Sequence, residues 1–134
     1  MTDALPAVLP VVLLVEDEAP LRRVMRDVLE REGFQVLEAG DGAEALTAID
    51  RATPDIAVLD INLPVLDGFA VLSRLRTRAS TARLPILILT ARADQETEMR
   101  GLALGADDFL TKPFRPTALA ARLRAMLSRT RDPQ

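Results

Sequence analysis

The chain has no cysteine, no histidine and no tyrosine. Without cysteine there is no disulfide framework, no thiolate nucleophile and no sulfur metal site, and an intracellular setting is permitted. Without histidine there is no Ser-His-Asp triad, no imidazole base and no imidazole metal ligand. Carboxylates, hydroxyls and lysine are left to carry any chemistry. Lysine is itself scarce: of 17 basic residues 16 are arginine, and the single lysine is Lys112. A chain that meets its generic need for positive charge with arginine marks that lysine as a chemical choice. Two phosphate-binding signatures are missing as well, GxxxxGK followed by Ser or Thr, and GxGxxG, so direct nucleotide binding by either route is unsupported. The opening MTDALPAVLPVVLLV carries Asp3 and two prolines, has no basic residue before Arg22 and is too short in its apolar run to span a bilayer, so it reads as neither signal peptide nor membrane helix. A formal net charge of −3 offers no general attraction for nucleic acid.

What is present suits one soluble globular domain. The 134 residues are 49% hydrophobic and 28% charged, enough for a two- or three-layer core. Five short apolar stretches recur, VVLLV (11–15), FQVLEA (34–39), IAVLD (56–60), PILILT (85–90) and the weaker DFLT (108–111), mostly apolar on consecutive residues as in parallel strands buried on both faces. FQVLEA is less uniform and suits an edge. Between them run helical patterns: Leu21, Val24, Met25, Val28 and Leu29; Leu46 and Ile49 after a turn at Gly40 to Gly42; Phe69, Leu72 and Leu75; a weaker segment from Asp94 to Leu104; and Leu119, Leu123, Met126 and Leu127 behind Pro116. Five alternations of strand and helix predict a doubly wound α/β fold with a five-stranded parallel sheet. A single domain is expected over residues 1–128, with SRTRDPQ supplying a tail or the start of a linker over 129–134.

In such sheets ligands bind beyond the carboxyl ends of the strands. Those ends carry Glu16 and Asp17 after the first strand, Asp60 on the third, Thr90 on the fourth and Lys112 after the fifth. An acidic cluster with no adjacent base is costly, since two unit charges about 4 Å apart repel by roughly 4 kcal/mol at an effective dielectric near 20. A lone Asp60 would pass for a turn cap, but polar groups converging from four separate segments point to a site. Three carboxylates in one crevice suit Mg²⁺, a hard ion that takes oxygen ligands. The remaining nucleophile is a carboxylate that would form an acyl phosphate, with lysine and a hydroxyl holding the phosphoryl oxygens.

LLVEDE, IAVLDINLPVLDGF, ILILTA and GADDFLTKPF, in that order and spacing, resemble the receiver domain of bacterial two-component response regulators over roughly residues 10 to 128. The resemblance implies the flavodoxin-like strand order 2-1-3-4-5. It implies that Asp60 is the phosphoacceptor, taking its phosphoryl group from a sensor histidine kinase or a phosphotransfer protein in the cytoplasm. Asp17 and Asp60 would bind Mg²⁺ directly, the backbone carbonyl of Asn62 would complete the protein ligands, and Glu16 would act through water. Thr90 takes the place of the switch hydroxyl, Phe109 that of the switch aromatic, and Lys112 that of the lysine that pairs with the phosphoryl group. The Lys112–Pro113 bond is expected to be cis. Asn62 and Arg92 occupy positions that set the lifetime of the acyl phosphate. Catalysis would be confined to self-catalysed phosphotransfer and autodephosphorylation, with a downstream output domain or protein reading the switch.

The nearest likeness is to receivers of the winged-helix transcription-factor class, which form homodimers through the fourth helix, fifth strand and fifth helix. Asp108 and Arg122 match one charged pair of that face. Glu98, Ala103 and Ala118 depart from its pattern and leave Arg124 without its mate, which weakens the expectation of that dimer. The basic stripe of Arg115, Arg122, Arg124, Arg129 and Arg131 reads as a solvated helix face rather than a DNA-binding surface. Two other functions fit parts of the pattern: a phosphatase of the haloacid-dehalogenase type, whose nucleophile normally follows the first strand rather than the third, and a scaffold that binds partners without phosphorylation.

Overall fold

The computed structural model describes residues 8–91 and 94–131, the last two by backbone alone. The first seven residues, Arg92 and residues 132–134, on which some of the expectations above fall, lie outside the described residues. The elements run β1 (Val11–Val15), α1 (Ala19–Arg31), β2 (Gln35–Ala39), α2 (Gly42–Arg51), β3 (Ile56–Asp60), α3 (Gly68–Thr77), β4 (Ile86–Thr90), α4 (Gln95–Ala103), β5 (Asp108–Thr111) and α5 (Pro116–Arg131). The sheet is parallel throughout in the order β2-β1-β3-β4-β5, as the resemblance implies.

β1, β3 and β4 are apolar on consecutive residues because each lies inside the sheet with both faces covered. Alternate side chains enter different cores. Leu13, Val15, Ala57, Leu59, Ile86 and Ile88 pack against α2 and α3, whereas Val12, Leu14, Ile56, Val58, Leu87 and Leu89 pack against α1 and α5. β2 is an edge strand and accordingly keeps Gln35 and Glu38 exposed.

Aspartates start three of the helices. Asp41, Asp67 and Asp94 each accept a backbone N–H three residues on, from Glu44, Ala70 and Thr97, and each such cap contributes about 1 kcal/mol. Gly68 opens α3 directly against the end of β3, where an added Cβ would lie 2.8 Å from the Ile61 Cα and closer still to the Asp60 carbonyl oxygen. The absence of a side chain at position 68 therefore lets α3 approach the strand that carries Asp60.

Local pattern and structure differ in three places. Val24 is 51% exposed although it continues the apolar periodicity of α1; it lies about 100° round the helix from Met25, and the buried stripe follows Met25 and Leu29. Strands expected to begin at Phe34 and Pro85 begin one residue later: Phe34 is buried against the α1–α5 face, and Pro85, which has no N–H, offers its carbonyl to Ala57. α5 continues to Arg131, three residues past the expected end of the domain at 128, since nothing between Thr117 and Arg131 is a Gly or Pro. At the strand end remote from Asp60, Arg76 of α3 donates to the carbonyls of Leu84 and Gly105 and to Asp107, tying the α3–β4 and α4–β5 connections together.

Candidate functional site

Parallel register brings the polar strand ends to one edge. Asp60 closes β3 opposite Leu89, Thr90 closes β4 opposite Thr111, and the N–H of Lys112 donates to the Thr90 carbonyl at 2.7 Å. Across the sheet the Glu16 N–H donates to the Ala39 carbonyl, so the acidic turn leaves β1 while still held to β2.

Lys112 is the centre of the site. Its Nζ donates to Glu16 Oε1 at 2.9 Å and to Asp60 Oδ2 at 2.6 Å. Glu16 is fully buried and Asp60 is 3% exposed, a placement that unpaired carboxylates would not tolerate. The second Glu16 oxygen accepts the Glu18 N–H, and Asp60 Oδ1 accepts the Asn62 N–H at 3.0 Å. Burial pushes the Glu16 carboxyl up to about 7, against the hydrogen bond from Lys112 that pulls it down. Burial lowers the Lys112 ammonium, but its bonds to Asp60 and Glu16 outweigh that and raise it above its ordinary value. Asp17 is exposed and has no hydrogen-bond or ion-pair partner among the described residues. One oxygen from each of Glu16, Asp17 and Asp60 lies within 4.8 Å of the others. An all-oxygen set with one free carboxylate and two held by an ammonium fits a hard divalent cation.

Thr90 is 2% exposed at the end of β4. Phe109 faces the α2–α3 core, and its ring lies over Gly101 of α4: a Cβ there would be 2.9 Å from Cε1 and closer to Cζ. The Lys112–Pro113 bond is cis, as expected. Beside Asp17, Asn62 lines a cleft of about 590 Å³ with Asp67, Phe69, Thr97 and Arg100.

The sequence readings missed some groups. Arg100 stacks on Phe69 at 4.3 Å and closes one wall of the cleft; no local pattern links a residue of α4 to one of α3. Arg22 of α1 donates to the Glu16 carbonyl at 2.6 Å; its only sequence signal is a place one turn into the helix after the acidic residues. Glu18, by its place in the sequence only an early residue of the first helix, is the N-cap of α1 and supplies the N–H that Glu16 accepts. Two arginines of the basic stripe are not simply solvated. Arg122 pairs with Asp108 within the chain at 3.0 Å, and Arg124, expected to lack its mate across a dimer face, is bonded within the chain to Glu32.

A family model described as the response regulator receiver domain matches residues 12–124. The chain is 43% identical over 118 residues to the phosphate regulon transcriptional regulatory protein PhoB of Klebsiella pneumoniae, covering 88% of this chain and 52% of that protein. It is 45% identical over 123 residues to the protein of the same name from Rhizobium meliloti, covering 92% and 54%. It thus spans about half the length of the curated relatives it matches. Among solved structures it resembles the chemotaxis response regulator CheY4 of Vibrio cholerae, with a TM-score of 0.85, 34% identity and coverage of 89% and 99%. It also resembles the receiver domain of a sensor histidine kinase from Pseudomonas aeruginosa PAO1, with a TM-score of 0.83, 32% identity and coverage of 90% and 99%; in that structure a magnesium ion is coordinated in the active site cleft.

Proposed function

The chain belongs to the response regulator receiver domain family, whose members are phosphoacceptor signalling switches rather than classical enzymes, and from that premise we propose that Asp60 accepts the phosphoryl group. The observation that carries the assignment is the Lys112 ammonium bonded to Asp60 and Glu16 beside the free carboxylate of Asp17. In the step, an Asp60 carboxylate oxygen attacks phosphorus and the bond to the donor nitrogen breaks. The electron pair of the broken bond stays on the departing nitrogen, and the donor imidazole, protonated on its other ring nitrogen from the start, leaves neutral. Lys112 is already bonded to the nucleophile and exchanges part of that contact for a phosphoryl oxygen as charge moves outward. The Asn62 N–H holds Asp60 Oδ1, leaving Oδ2, the oxygen facing Lys112, as the reacting atom.

Asp17, Asp60 and the Asn62 carbonyl would hold Mg²⁺, with Glu16 acting through water. When bound, the ion supplies neutralisation of the phosphoryl charge in an in-line displacement. Thr90 and Phe109 are the elements through which the phosphorylated state would reach α4 and β5, by bias of a two-state equilibrium. Autodephosphorylation would use the same groups with water as acceptor.

A sensor kinase or phosphotransfer protein is the donor under this reading, in the cytoplasm, and an output domain or protein reads the result. The relatives named as transcriptional regulators, of which this chain covers 52% and 54%, support a transcriptional output. A homodimer through Asp108 and Arg122 is disfavoured by their pairing within one chain. The phosphatase and scaffold alternatives are not favoured, because Asp60, the proposed nucleophile, ends β3 rather than following β1, and the acid, hydroxyl and lysine positions are intact.

Incubation with Mg²⁺ and acetyl phosphate is expected to add one phosphoryl group, seen by intact mass, and Asp60→Asn is expected to abolish it. Undiminished labelling of Asp60→Asn would overturn the assignment.

A further inference from the structure

Arg22 is 22% exposed in its side chain and sits where α1 passes over the end of β2. Its guanidinium bonds in two directions: Nε donates to Glu38 Oε1 at 3.0 Å, and Nη1 donates to the backbone carbonyl of Glu16 at 2.6 Å. Glu38 is an anchor in its own right, since Arg26 also bonds to its second oxygen. An ordinary surface ion pair contributes roughly 0–1 kcal/mol, and its partner is a side chain; here the shorter bond goes to the peptide that joins the two acidic residues. That peptide carries Glu16 on one side and Asp17 on the other. Across it run the Glu16 N–H bond to the Ala39 carbonyl and the Glu18 N–H bond to Glu16 Oε2.

We infer that Arg22 is a positioning residue for the acidic turn, clamping the Glu16–Asp17 peptide to β2 through Glu38 so that both carboxylates face Asp60. The inference rests on the proposed cation and phosphoryl site. The planar fork of arginine suits two acceptors in fixed directions, which a lysine would not satisfy together. A guanidinium paired with Glu38 has its repulsion of an incoming cation damped, so geometry and not charge is what its removal changes. Arg22 touches none of the reacting atoms and acts only through the peptide it holds.

The test uses the whole chain. Calorimetric titration with Mg²⁺ is expected to give Arg22→Met a dissociation constant about tenfold higher than wild type, the low end of the range for groups supporting metal ligands. Arg22→Lys and Glu38→Gln are expected to fall between the two. In metal-free protein, amide hydrogen exchange of Glu16 and Glu18, whose N–H groups are bonded to the Ala39 carbonyl and to Glu16 Oε2, is expected to quicken in Arg22→Met while core amides stay protected. A purely structural role would quicken exchange in the core as well and leave Mg²⁺ affinity within twofold of wild type; a purely electrostatic role would make Mg²⁺ bind more tightly. Either outcome overturns the inference, provided Asp17→Asn weakens binding. If Asp17→Asn binds Mg²⁺ as well as wild type does, the cation site itself is wrong and the inference falls with it. Glu38→Gln keeps the question decidable should Arg22→Met fail to fold.

Discussion

Glu16 shows what burial does to a single side chain. It is fully buried and titrates near 7, whereas the same group in an unfolded chain titrates near 4.5. Between those values the folded protein holds a proton the unfolded chain has lost, so Glu16 lowers stability as pH rises from about 4.5 to about 7, and its cost is complete above 7. Lys112 acts in the opposite sense: its folded value is raised above 10.5, so its contribution is present below that pH and lost as pH rises through the folded value. Urea unfolding of metal-free protein at pH 5 and pH 7.5 should therefore show wild type losing on the order of 2 kcal/mol more than Glu16→Gln across the interval. An equal loss in both proteins would refute the burial account. That Asp60, Asp17 and Lys112 belong together was legible in the sequence because their types are rare or costly where they occur, and the structure brings them to one edge of the sheet. The direct bond from Lys112 to Glu16 was not, because it joins residues 96 positions apart.

At the scale of elements, the contact between α4 and β5 is the one most exposed to change. Gly101 leaves room for the Phe109 ring, and any side chain there collides with it. Gly101→Ala gains up to about 1 kcal/mol of helix propensity but overpacks a site where the expected cost is about 1–3 kcal/mol. We expect a net loss of about 1 kcal/mol and a changed environment of the Phe109 ring by NMR, with phosphorylation at Asp60, the proposed acceptor, unaffected, since Asp60 sits on β3. An unmoved ring would show that α4 yields instead. Sequence periodicity placed all ten elements, and what it missed was decided by packing between elements. Val24 fits the spacing of a core residue yet faces solvent, because which side of an amphipathic helix meets the sheet is decided by packing. The Arg124–Glu32 pair fastens the last helix to the end of the first, a meeting no local rule predicts.

For the molecule as a whole, a ligand that binds only the folded state raises stability by mass action, about 2.7 kcal/mol at a hundred times its dissociation constant. Thermal unfolding with increasing Mg²⁺ is expected to move steadily upward in wild type and to stay nearly flat in Asp17→Asn. A parallel rise in the two proteins would place the ion elsewhere. The alternation of buried strands and amphipathic helices, the topology class and the set of groups at the strand ends were determined by the sequence alone, because periodicity and residue type are local properties. Tertiary structure alone decided which carboxylate is buried, that Lys112 bridges two of them, and that Arg22 and Arg124 find acceptors on other elements. Burial and charge pairing depend on which elements become neighbours, and the sheet order and helix faces set that only once the chain has closed on itself.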